Sequence, residues 1–104
     1  MRLDRFTIKS QEALERAQRL AAERRHQELR PEHLLAAQLE DADGTVAAVL
    51  EKLGVPREPL ANSITLAMGR LPRVQGGSPY VGEALRAALE AGEKAAEKLS
   101  DEFV

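Results

Sequence analysis

The decapeptide ALERAQRLAA, residues 13–22, decides the fold of this chain, because its apolar side chains recur at the spacing of one helical face. The apolar positions of that face are Ala13, Leu14, Ala17, Leu20 and Ala21. The pattern returns in altered form as ALEAGEKAAE, residues 88–97. The sequence therefore predicts two equivalent amphipathic helices, one near each end of an all-α protein.

The composition also favours a small helical domain. A chain of 104 residues with 43% hydrophobic and 31% charged residues can bury one core and stay in solution. Its aromatic residues are Phe6, Tyr80 and Phe103 alone. With so few bulky side chains, we expect Ala-lined helices that approach closely.

The charge balance excludes several classes of partner. The chain has 15 basic and 17 acidic residues, whereas general nucleic-acid binders are strongly basic. It contains no cysteine, which excludes disulfides, thiol nucleophiles and thiolate metal sites. The opening MRLDRFTIKS lacks the apolar core of a signal peptide. We expect a cytoplasmic protein with no cofactor and no nucleic-acid or membrane partner.

Capping residues mark the first three helices. Thr7 is a predicted N-cap of the first helix, and Pro31 suits the first turn of the second. Thr45 is the predicted N-cap of a third helix that ends at Gly54.

Two further helices follow. The fourth is predicted to begin near Pro56 or Pro59 and to run to about Gly69, and residues 71–78 form a linker loop without periodicity. The Ser-Pro pair at 78–79 is a helix-start signal for the fifth helix, and no strand is predicted. The apolar positions of the fifth helix are Leu85, Ala88, Leu89, Gly92, Ala96 and Leu99.

The similar sequence patterns of the first and fifth helices indicate a repeat. At an offset of 75 residues, both the apolar stripe and the charge pattern recur, but the second copy stops after one helix. Because repeats bury their apolar faces against the next copy, we expect an incomplete second repeat. The stripe containing Leu85, Leu89, Ala96 and Leu99 is expected to be uncovered and to drive self-association.

Four short segments give the chain a family resemblance. These are MRLDRFT, EHLL at the start of the second helix, the glycine that ends the third, and GRLPRVQG before the fifth. In order and spacing they resemble the amino-terminal Clp repeat domain of ClpB-type AAA+ disaggregases, over the whole chain. The resemblance implies a first four-helix repeat at 1–70, a linker at 71–78, and an incomplete second repeat at 79–104.

The resemblance also implies a function without catalysis in this segment. Such domains engage unfolded or aggregated polypeptide and present it to a hexameric, ATP-driven AAA+ ring. Thr7 and Asp101 stand at polar positions associated with substrate handling, and Leu89 stands at a position of the apolar substrate groove. Ala91 replaces a larger groove residue. In protease-coupled ClpC relatives, the glutamate corresponding to Glu32 receives a phosphorylated arginine, so an adaptor-docking or phosphoarginine-binding role is an alternative.

Each of these residues also has a local explanation. Thr7 can be a helix cap with no further role, and the carboxylate of Glu32 can interact favourably with the positive end of the second helix. Asp101 falls in a predicted polar turn, and Leu89 can be a core residue. A purely structural or self-associating module is therefore a further alternative.

Other motifs do not support catalysis or ion binding. Gly77 to Gly82 has the spacing of a phosphate loop, but Glu83 follows where lysine is required. Ser78 lacks the closing glycine of a nucleophile elbow. His26 and His33 lack a third metal ligand and are expected to have structural roles in a polar loop and a helix start.

Overall fold

The computed structural model describes residues 7–103, and residues 100–103 by their backbone alone. Within this range the chain forms five α-helices and one sheet of two very short strands, which confirms the all-α class. The helices are α1 (Ile8–Glu23), α2 (Pro31–Glu40), α3 (Thr45–Leu53), α4 (Arg57–Gly69) and α5 (Glu83–Phe103). The strands are β1 (Glu28–Leu29) and β2 (Tyr80–Val81).

Most predicted helix ends are confirmed. Thr7 caps α1, since its Oγ1 accepts a hydrogen bond from the Ser10 backbone N–H at 3.1 Å. Gly54 ends α3 with a φ of 71°, a left-handed conformation that glycine adopts without steric cost. Pro56 is the N-cap of α4. The N-cap of α3 is Gly44 and not the predicted Thr45, which is the first helical residue.

The predicted start of the fifth helix is wrong. The Ser-Pro pair at 78–79 leads into strand β2, and α5 begins four residues later at Glu83. The prediction of no strand is also wrong, because β2 pairs in parallel with β1 in the register Glu28 to Tyr80 and Leu29 to Val81. Two-residue strands are too short to show a periodicity. They form because loop backbone groups lying against the core need hydrogen-bond partners, as when the Tyr80 N–H donates to the Gln27 carbonyl at 2.9 Å.

Gly82 lets this sheet lead directly into α5. It is buried, and a Cβ at this position would stand 2.0 Å from the Glu28 Oε1 atom. The absent side chain therefore leaves room for the Glu28 side chain beside the start of α5. The start of α5 therefore lies beside β1, although α2, α3 and α4 separate them in the sequence.

Small side chains hold the core together. One cluster joins α1, β1, α2 and α5, and another joins α2 and α4. Alanines on α1 and α2 let these two helices approach closely, as the composition predicted. The buried members of the first cluster are Ala17, Ala21, Leu29, Ala37 and Leu85, and those of the second are Leu39, Ile64 and Met68.

The apolar face of α5 is covered at its start and open farther along. Leu85 is fully buried, so the prediction that it is uncovered is wrong. Leu89 is half-buried, whereas Ala96 is exposed and Leu99 has 54% of its surface exposed. The two ends of the stripe differ because only the first turns of α5 lie against the core that β1 and α2 form. The division into two repeats stays a prediction.

Candidate functional site

A small cleft lies where α1, α2 and α5 meet, and we call it the apolar cleft. Its volume is about 130 Å³. The helical spacing of α1 places Ser10 and Leu14 on the side toward α5, and Leu34 and Gln38 stand one turn apart on α2. The lining residues are Ser10, Leu14, Leu34, Gln38, Ala88, Leu89 and Gly92.

Three half-buried leucines give this cleft its chemistry. Leu14, Leu34 and Leu89 each keep part of their surface accessible, and Leu34 and Leu89 rest against the buried core. Gly92 leaves the cleft open, because no heavy atom lies within 4 Å of the place where its Cβ would stand. Such a surface can accept one apolar side chain from another molecule, with Ser10 and Gln38 as polar groups at its edge.

A second cleft adjoins the first, and we call it the polar cleft. It has a volume of about 100 Å³ and shares Ser10 and Gln38 with the apolar cleft. Thr7 lines it, together with charged side chains from α1 and the end of α2. The structure therefore brings two predicted site residues, Thr7 and Leu89, into neighbouring clefts. The charged residues that line the polar cleft are Lys9, Arg16 and Asp41.

The comparisons with known proteins identify the family of this chain. Residues 5–104 match the family model described as the Clp repeat (R) N-terminal domain. The chain belongs to this Clp repeat family. Over 104 residues it is 33% identical to the Chaperone protein ClpB of Porphyromonas gingivalis, a match that covers all of this chain and 12% of the relative. The predicted family is confirmed, and the Clp repeat domain spans about an eighth of that relative's length.

Solved structures of Clp amino-terminal domains share the fold. The N-terminal domain of the ClpV1 ATPase from E. coli superimposes with a TM-score of 0.87 at 26% identity, covering 94% of this chain and 60% of that one. A complex of a ClpV N-domain with VipB peptide superimposes with a TM-score of 0.68 at 27% identity, covering 78% of this chain and 49% of that one.

The other two predicted site residues of α5 lie apart from the apolar cleft. Ala91 is exposed and does not line it. Two residues along a helix turn the side chain by about 200°, so Ala91 faces away from Leu89. Asp101 lies inside the last turn of α5, and the predicted polar turn after the helix is wrong because α5 continues to Phe103. The side chain of Asp101 lies outside the described residues.

Glu32 is held by a neighbour within the Clp repeat domain. It lies in the first turn of α2, where a carboxylate favours the positive helix end. The Arg30 Nε donates to Glu32 Oε2 at 2.9 Å, and Arg30 Nη1 lies 3.4 Å from Glu28 Oε1. These two carboxylates raise the pKa of Arg30 further above its usual value. An external guanidinium would therefore compete with Arg30 for Glu32.

Two buried histidines form a contact that the sequence prediction missed. The Nδ1 of His33 accepts from the Arg30 backbone N–H at 3.0 Å, so the proton of neutral His33 is on Nε2. That proton points to His26 Nδ1, 2.8 Å away. Burial lowers the pKa of His26, and the charges of Arg24 and Arg73 lower it further. Burial also lowers the pKa of His33, and the neighbouring His26 ring adds to this effect. The pair is thus neutral, and His26 is buried although it lies in the predicted polar loop.

A larger cleft, which the sequence analysis did not predict, lies between α2, α3 and α4. Its volume is about 730 Å³, with an apolar floor that includes Leu39, Leu50 and Met68. Charged residues including Glu40, Glu51 and Arg57 also line it. These side chains converge from three helices whose order in sequence says nothing of their spacing in the fold.

Two classes of site are absent from the part of the chain that the structure describes. No group of three or more histidine, cysteine, aspartate or glutamate side chains in it is placed to hold a metal ion. No helix within residues 7–103 combines the length and the apolar character needed to cross a membrane.

Proposed function

We propose that this chain is the substrate-engaging domain of a ClpB-like, ATP-dependent disaggregase, and that it binds unfolded or aggregated polypeptide in the apolar cleft. Binding here involves no catalysis. The domain would pass polypeptide to the hexameric AAA+ ring of a parent protein, in the cytoplasm.

The observation that carries this proposal is the set of half-buried leucines at the junction of α1, α2 and α5. Leu14, Leu34 and Leu89 are each partly accessible, and the core supports Leu34 and Leu89 from the other side. Unfolded chains expose apolar side chains that folded proteins bury. A shallow cleft for one such side chain binds weakly and with little sequence preference, as a general substrate receptor requires.

A second candidate function is the docking of a defined partner segment. The solved complex of a ClpV N-domain with VipB peptide favours it, since that domain shares the fold of this one. The two functions differ in sequence dependence. A defined partner would bind through one sequence, and scrambling that sequence would abolish binding, whereas general substrate binding would survive scrambling.

The test is a titration with a permanently unfolded, fluorescently labelled polypeptide, such as a reduced and carboxymethylated lactalbumin. Leu89→Glu places a charge in the apolar cleft and removes the burial of one leucine, so we expect binding to weaken by about tenfold or more. The matched control is Leu66→Glu. Leu66 lies on α4 with 67% of its surface exposed and lines none of the clefts described above.

The outcomes separate the candidates. Weaker binding by Leu89→Glu with unchanged binding by Leu66→Glu supports the apolar cleft, provided that circular dichroism shows both variants folded. Equal affinities for Leu89→Glu and the parent chain would remove the cleft from the proposal. No binding by the parent chain at any concentration would favour the purely structural role.

A further inference from the structure

Arg16 is a cation without a partner in the polar cleft. Its Nε is buried and has no hydrogen-bond partner, and no ion pair of Arg16 occurs among the described residues. The other two charges of the cleft offset each other, since Lys9 Nζ lies 3.7 Å from Asp41 Oδ2. Among the residues that the structure describes, the polar cleft therefore has one uncompensated positive charge.

A buried donor without an acceptor costs free energy, because it has lost water and gained nothing in return. Arg16 is only partly buried, so its remaining N–H groups can bind a carboxylate through charge-assisted hydrogen bonds. Water can also satisfy such a group, but the polar cleft adjoins the apolar cleft through Ser10 and Gln38. A polypeptide in the apolar cleft therefore passes within reach of Arg16.

We infer that the two clefts together select segments of unfolded polypeptide in which an apolar side chain is followed or preceded by Asp or Glu. The apolar side chain enters the apolar cleft, and the side-chain carboxylate binds Arg16. This inference rests on the proposed function and adds a substrate class to it. A lysine or arginine at the same place in the substrate is disfavoured by the charge of Arg16.

The spacing of the two substrate residues follows from α1. Leu14 and Arg16 lie two residues apart and so on opposite flanks of the helix. A helix with its side chains is about 10 Å wide, and an extended chain advances about 3.3 Å per residue. The apolar and acidic residues of the substrate are therefore about three residues apart.

The experiment compares three short Gly/Ser peptides with blocked ends. Each contains two leucines and, three residues after the second, aspartate, asparagine or lysine. Binding to the full 104-residue chain is followed by NMR chemical-shift titration, which suits weak affinities. We expect the aspartate peptide to bind about fivefold more tightly than the asparagine peptide at low salt, and the lysine peptide to bind most weakly.

Two variants assign the preference to one residue. Arg16→Gln should bring the aspartate and asparagine peptides to equal affinity. Arg19→Gln removes the same charge from an exposed position of α1 outside both clefts and should keep the preference. Equal affinities in the parent chain, or a preference that persists in Arg16→Gln, would overturn the inference.

The same titration separates this inference from the proposed function. If all three peptides bind equally and Leu89→Glu weakens all of them, the carboxylate site is wrong and the apolar cleft stands. If Leu89→Glu changes none of the affinities, or if no peptide binds, the proposed function and the inference fall together.

Discussion

Filling the apolar cleft with a side chain of the domain itself should weaken polypeptide binding and stabilise the domain. Gly92→Leu is the variant that does this, since the space around the missing side chain is open and lies in the cleft. The cleft of about 130 Å³ has room for about four water molecules, which is similar to the room that four side-chain carbons occupy. A leucine at position 92 therefore takes the place of a bound apolar side chain.

The expected magnitudes follow from burial and helix propensity. Burying a leucine-sized side chain contributes about 2 kcal/mol, so its exclusion should weaken binding by about thirtyfold. Replacing a helical glycine with leucine should raise the free energy of unfolding by about 0.7 kcal/mol. Binding thus weakens while the free energy of unfolding rises, whereas a loss of the fold would lower both.

The assay pairs the unfolded-polypeptide titration with urea unfolding. Gly92→Ala supplies the helix propensity with one methyl group only, so it should stabilise the domain and leave most of the binding. Gly69→Leu makes the same change at another open glycine, on α4 and away from the cleft, and should leave binding unchanged. Full affinity in Gly92→Leu would refute the assignment of this cleft as the binding site.

The remaining predictions concern stability and association. The folded-state pKa values of His26 and His33 lie below 6.5, so the unfolded chain binds more protons in acid. Stability should be full above about pH 6.5 and fall below it by at most about 1.4 kcal/mol per histidine per pH unit, and urea unfolding of His26→Gln should show a smaller fall. Leu85→Ala should lower the free energy of unfolding by about 3 kcal/mol because Leu85 is fully buried, whereas Leu99→Ala at an exposed site of the same helix should change it by less than about 0.5 kcal/mol. If the open stripe of α5 drives self-association, sedimentation should show oligomers of the parent chain that Leu99→Glu reduces, and a monomer at all concentrations would contradict this.

Local signals account for the parts of the fold that the sequence predicted. Thr7 and Gly54 mark helix ends because capping satisfies backbone groups only a few residues away. The apolar periodicity of α1 predicts its buried face for the same reason, since one turn of helix decides which side chains align. The Ser-Pro pair at 78–79 misled the prediction because the same dipeptide can precede a strand when a distant segment supplies the pairing.

The candidate site was predictable only in part. The resemblance points to Leu89, which lines the apolar cleft, and its role in binding stays a prediction. The sequence could not indicate that Gly92 opens this cleft or that Arg16 lacks a partner, because both depend on what the neighbouring helices place nearby. The histidine pair was missed although His33 stands three residues after the N-cap of α2, where a side chain often reaches back to the cap backbone.

The sequence by itself determined the helical class, the family and most helix ends, since each depends on contacts within a few residues or on short motifs. Only the tertiary structure decided the pairing of β1 with β2, the neutral contact between His26 and His33, and the two adjoining clefts. The strand pairing and the clefts join segments far apart in the chain, and the histidine contact depends on the fold of the loop between α1 and α2. Their geometry depends on how closely the helices approach, which the order of residues does not specify.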